Sequence, residues 1–175
     1  MASTLKVDTI QTNDGTGTIA LQNQLSGMTG ASMPTGSVLQ VVTATTTTEV
    51  STTSTSWVAL SGLTLSITPS STSSKIFLIL TVPHYTGSVG YHVASTIFRG
   101  TTSGTNLGGA SWGFGSIHNG SGGGALLGNV SGNYLDSPST ASAQTYTTAF
   151  YVNGGTGYAM INNQRGTLTA MEIAG

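Results

Sequence analysis

The chain has 175 residues, of which only four are Lys or Arg and five Asp or Glu; it has no Cys, and Ser, Thr and Gly make up close to half of it. A typical soluble domain is about one quarter charged, so this chain lacks both the basic stripe that nucleic-acid binding requires and the clustered ionisable groups of acid–base catalysis. The absence of Cys excludes a disulfide framework and any thiolate metal site.

In chain order, residues 1–21 open with Leu5 and Val7 in strand-like alternation, run through Ile10 to a turn at Asn13-Asp14-Gly15, and resume at Ile19 and Leu21. Two such strands are marginal alone. Leu5, Val7, Ile10, Ile19 and Leu21 are therefore expected to attach to a partner by packing or strand addition. Met1–Asp8 carries no apolar core of a signal peptide, which predicts synthesis in a cytoplasm. Residues 22–36 have linker composition, rich in Gly, Ser and Gln.

From residue 37 to 175 the pattern predicts an all-β head. Strands are expected at 38–43, 48–51, 57–60, 63–68, 75–82, 91–99, 111–117, 125–130, 145–153, 158–162 and 168–173, each short and bounded by Gly, Ser, Pro or Asn. Ile76–Leu80 is apolar throughout, which predicts a central strand covered on both faces; it is far too short to cross a bilayer. No window holds a helical period. The fold class is an antiparallel β-sandwich or jelly-roll head with a short N-terminal β attachment segment.

Candidate sites are few. His84, His92 and His118 have no metal-ligand spacing and no carboxylate close in sequence, so no metal and no cofactor is predicted. Ser and His occur without a nucleophile elbow, and Asp8, Asp14, Glu49, Asp136 and Glu172 form no obvious glycosidase pair. The chain is read as non-enzymatic.

Residues 84–136 read as loop-rich and hold Tyr85, Tyr91, Trp112, Phe114, His118 and Tyr134. Two readings of this set stand open. Trp112 and Phe114 alternate and would fill a core from one strand face. Alternatively Trp112, His118 and Tyr134 contact a receptor, stacking on sugar rings of a host surface glycan.

The stretches Thr4–Gln11, Gly15–Leu21, Gly36–Val42, Ile67–Ile76, Gly132–Pro138 and Leu168–Gly175 resemble small tail-fibre-like appendage proteins of tailed bacteriophages, of the type found in marine phages. The resemblance covers both ends and the strand framework, and leaves out the loops between 84 and 131. It implies a virion protein and a homotrimer that binds other virion proteins through its N-terminal segment. It carries over no catalytic residue. Two roles follow: a fibre-like appendage meeting the host surface, or a decoration protein that cements the capsid shell. A fibre would bury only its N-terminus, whereas a cement protein would also bury one whole flank. No nucleic-acid partner and no membrane insertion are expected.

Overall fold

The computed structural model describes residues 33–120 and 123–175. The attachment residues Leu5, Val7, Ile10, Ile19 and Leu21, with all of 1–21 and the linker up to residue 32, lie outside the described residues.

The head is the expected β-sandwich. Its strands are β1 (Val38–Thr46), β2 (Val50–Thr52), β3 (Val58–Ile67), β4 (Lys75–Thr86), β5 (His92–Arg99), β6 (Thr105–Asn106), β7 (Gly115–His118), β8 (Leu126–Asp136), β9 (Gln144–Val152), β10 (Gly157–Ala159) and β11 (Gly166–Ile173). All pair antiparallel. In the first sheet β1 lies beside β11 and β11 beside β4; β8 runs along the other edge of β4, and β10 and β2 extend the β11 side. The second sheet runs β3, β9, β5, with β6 and β7 sharing the far edge of β5.

Period-two patterning explains why the sheets stack. In β3, Leu60, Leu63, Leu65 and Ile67 are buried; they meet Ile76, Leu78, Leu80 and Val82 of β4, and Tyr146, Phe150 and Val152 of β9. Each fully buried side chain of this size contributes about 1.5–3 kcal/mol relative to exposure.

Several elements differ from expectation. The two strands expected at 57–60 and 63–68 are one, β3, with a register shift between Ala59 and Thr64 that keeps Leu60 and Leu63 on the same side. The strand expected at 158–162 stops at Ala159. Met160, Asn162 and Asn163 take positive φ there and form a short 3-10 turn over Ile161–Asn163. The strand expected at 111–117 shortens to β7, because Gly113 (φ 57°) breaks it and pairs back on Gly109.

Much of 84–136 is strand rather than loop, and Tyr134 sits on β8. β8 runs past the expected end at residue 130 to Asp136 and contains the glycines Gly128 and Gly132. They serve close packing: a Cβ on Gly128 would lie 2.8 Å from Ile117 Cγ2, and one on Gly132 would lie 2.7 Å from Phe114 Cβ. Gly132→Ala is therefore expected to force Phe114 aside and cost about 1–3 kcal/mol, read as a lowered midpoint in thermal unfolding. An unchanged midpoint would show that β7 and β8 are not in this contact.

The expectation that Ile76–Leu80 is covered on both faces also fails. β4 is central, with Ile76, Leu78 and Leu80 fully buried, but Phe77 and Ile79 face outward from the sandwich and Ile79 is 37% exposed.

Candidate functional site

The buried ionisable groups come first, since chemistry would need one of them free. His84 on β4 is fully buried between the sheets. Its Nδ1 lies 3.0 Å from the Tyr158 carbonyl and its Nε2 2.7 Å from Ser95 Oγ on β5, while the ring stacks on Phe150. The carbonyl can only accept, so Nδ1 carries the proton and the Ser95 hydroxyl donates to Nε2. Burial pulls the His84 pKa down to about 4, against a smaller upward pull from the Tyr158 carbonyl. Ser95 is equally buried, so this Ser–His pair meets no substrate; it clamps one sheet to the other.

Asp136, at the end of β8, makes a second clamp. It accepts from the Tyr146 hydroxyl at 2.7 Å and from Arg99 Nη1 at 3.1 and 3.2 Å, joining the first sheet to β5 and β9 of the second. Burial, with the Asp136 hydrogen bond, pushes the Tyr146 phenol well above its ordinary range. Glu172 on β11 makes a third contact. It accepts from the Ser70 amide and hydroxyl, each at 2.6 Å, and from Gln40 Nε2 at 2.6 Å. Burial alone would raise its pKa, but the Ser70 and Gln40 hydrogen bonds outweigh that and hold the carboxyl below its usual value. A hollow of about 210 Å³ at this corner is lined by Met33, Leu39, serines of the 70–74 turn, Ala174 and Gly175, with no titratable side chain.

The exposed aromatic site lies on the outer face of the second sheet. Trp112, 51% exposed, stacks on His92 at a centroid distance of 4.2 Å. His92 Nε2 donates to the Tyr151 hydroxyl at 2.8 Å, and Tyr151 in turn donates to the Ser111 carbonyl. That last bond ties the loop bearing Trp112 to β9. Trp57 packs edge-on against Tyr151 at 4.6 Å. His118, exposed at the end of β7, is the direct cross-strand partner of His92. Burial lowers the His92 pKa, and the neighbouring His118 lowers it further.

Of the three residues expected to contact a receptor, the structure brings Trp112 and His118 together around His92. Tyr134 stands apart: it pairs with Phe114 at 6.4 Å on β8. The core-filling alternative holds for Phe114, which packs against the core, and fails for Trp112. The turn at Gly113 sends the two rings to different sides. His92, Tyr151 and Trp57 were absent from the expected set. They come from β5, β9 and the residue just before β3, far apart in sequence, and the pairing of β9 with β3 and β5, and of β5 with β7, assembles them. Among the described residues, no cluster of His, Asp or Glu has the makings of a metal site.

No known family matches the sequence, and no curated protein matches it. Solved structures to which the chain is similar include T=1 particles derived from infectious bursal virus, at TM-score 0.48 and 12% identity over 79% of this chain and 33% of that one. The infectious bursal disease virus VP2 subviral particle gives TM-score 0.44 and 15% identity over 79% of this chain and 34% of that one. The chain spans about a third of the length of these proteins. At this similarity they assign no function to it.

Proposed function

We propose that the chain is a non-enzymatic structural protein of a tailed-phage particle, a homotrimeric fibre-like appendage held through residues 1–36 with the sandwich as its head. The observation that carries this reading is how the buried ionisable groups are used. His84, Asp136, Tyr146 and Glu172 each join sheets or anchor a turn, and none lines the hollow. Such a head is stiff and chemically quiet. The resemblance of both chain ends to phage appendage proteins supplies the particle and the trimer.

The host-facing element in this reading is the Trp112–His92 stack. A half-exposed indole locked by a histidine and a tyrosine offers a rigid apolar face to a sugar ring, with the His118 imidazole at its rim supplying a hydrogen bond. Trp112→Ala is expected to lower host-cell adsorption of particles about tenfold while leaving the head folded, with little dependence on salt. Tyr134→Ala, outside the cluster, should adsorb normally. Unchanged adsorption for Trp112→Ala and His118→Ala would remove the receptor role.

The decoration role has one observation in its favour, a flank of the sandwich that no other described residue covers. A capsid-cementing protein would bury such a flank against the shell.

A further inference from the structure

The two outer faces of the sandwich differ. On the second sheet, outward-facing Ala94, Thr96 and Ala149 are fully buried and Phe98 nearly so, roofed by the loop of residues 100–114 and by Trp57. The first sheet has no roof among the described residues. Across its four longest neighbouring strands Val41 faces Met171, Met171 faces Phe77, and Phe77 faces Leu135, an unbroken apolar row. Val41 is 54% and Leu135 47% exposed. One row further along stand Thr43, Thr169, Ile79 and Asn133; the next is Thr45, Thr167, Thr81 and Ser131, hydroxyls throughout. Among the described residues, the sole charge on these four strands' outer face is Lys75, at its end. β1, its edge strand, is nine residues long with neither charge nor proline to block pairing.

We infer that this face is where copies of the chain meet: its occupant is a second copy of the same protein. The inference rests on the trimer reading above and names the surface that builds it. Three arguments choose a second copy. The face has almost no charge, so a strongly charged partner gains nothing from it, while this chain's own surface is as neutral as any. Net charge of −1 leaves no repulsion between copies. Hydroxyl rows both donate and accept, so they can pair with another neutral surface of a neighbouring copy, as a threefold contact requires, without any fixed donor–acceptor order. Finally, four strands about 4.8 Å apart and three side-chain rows about 6.7 Å apart give a flat footprint of roughly 400 Å². That is about half of the ~800 Å² per partner of a standard interface, and the open edge of β1 beside it offers further pairing. An apolar row backed by neutral hydroxyls is interface material rather than a solvated surface.

The test is the native mass of the full-length chain, wild type against Val41→Lys and Leu135→Lys, with Val89→Lys (Val89 is 45% exposed, outside this face) as control. Wild type and control are expected to be multi-copy at micromolar concentration. Each face variant should raise the concentration for half-dissociation at least tenfold, and the double variant should be a monomer with an unchanged far-ultraviolet circular dichroism spectrum. A monomeric wild type would overturn both this inference and the trimer. Oligomers that persist in both Lys variants would overturn this inference alone and leave a trimer built elsewhere. Should the Lys variants fail to fold, Val41→Cys gives the same answer in a chain with no other thiol. Its alkylation should slow as protein concentration rises; a rate independent of concentration overturns the inference.

Discussion

Replacing Asp136 by alanine is expected to lower the unfolding free energy by about 3–5 kcal/mol, the usual consequence of removing one partner from a buried ionic contact. The loss has two parts. The Tyr146 hydroxyl, on a fully buried residue, is left without its acceptor, and Arg99 loses its counter-charge. Arg99 is about a third exposed and is rehydrated in part, so the value belongs near the lower end. Tyr146→Phe removes one hydrogen bond without stranding a charge and should cost about 1–2 kcal/mol. Arg99→Ala, at a partly solvated site, should cost about 1 kcal/mol. Denaturant unfolding at fixed protein concentration measures all three. If Asp136→Ala falls within 1 kcal/mol of wild type, this cluster does not hold the sheets together.

Acid should loosen the same head through His84. Its imidazole stays neutral in the folded state down to about pH 4, whereas in the unfolded chain it takes a proton below about 6.5. Below pH 6.5 the unfolded state therefore binds the extra proton, and stability falls as pH falls. The groups facing the ring are the Ser95 hydroxyl, the Tyr158 carbonyl and the Phe150 ring, none of which could neutralise a charge. A gap of about 2.5 pH units corresponds to about 3 kcal/mol lost between pH 6.5 and 4. The lowered His92 adds a smaller loss of the same sign, and Glu172, also lowered, adds its own only near and below the ordinary carboxylate range. His84→Gln should flatten most of the slope between pH 6 and 5, whatever its absolute stability. A wild type equally stable at pH 6.5 and 4.5 would contradict the burial of a neutral His84.

These two clamps show where sequence reading stopped. Strands were legible wherever one face is buried, because Leu63, Leu65 and Ile67 announce a period of two unaided. The second face of β4 was not legible: Ile76–Leu80 reads the same whether Phe77 and Ile79 meet protein or solvent. β8 reads as ending at residue 130, short of Gly132, because a sequence does not say that Phe114 will press against Gly132. The aromatic site was half legible. Trp112 and His118 were singled out for their residue type and neighbourhood. His92, Tyr151 and Trp57 join them only through strand pairing and ring contacts that span 20 to 94 residues of sequence. Asp136 and His84 gave no signal, since their partners Tyr146 and Ser95 are set by how the sheets stack.

The central claim is that the chain is a built-in part of a phage particle. Its most direct test is to purify the particles and determine whether, and where, the chain is present, by quantitative mass spectrometry and averaged electron micrographs. The account predicts copies in multiples of three and an outward density attached at the N-terminal end of the chain. Particles that lack the chain while it stays free in the lysate would contradict it.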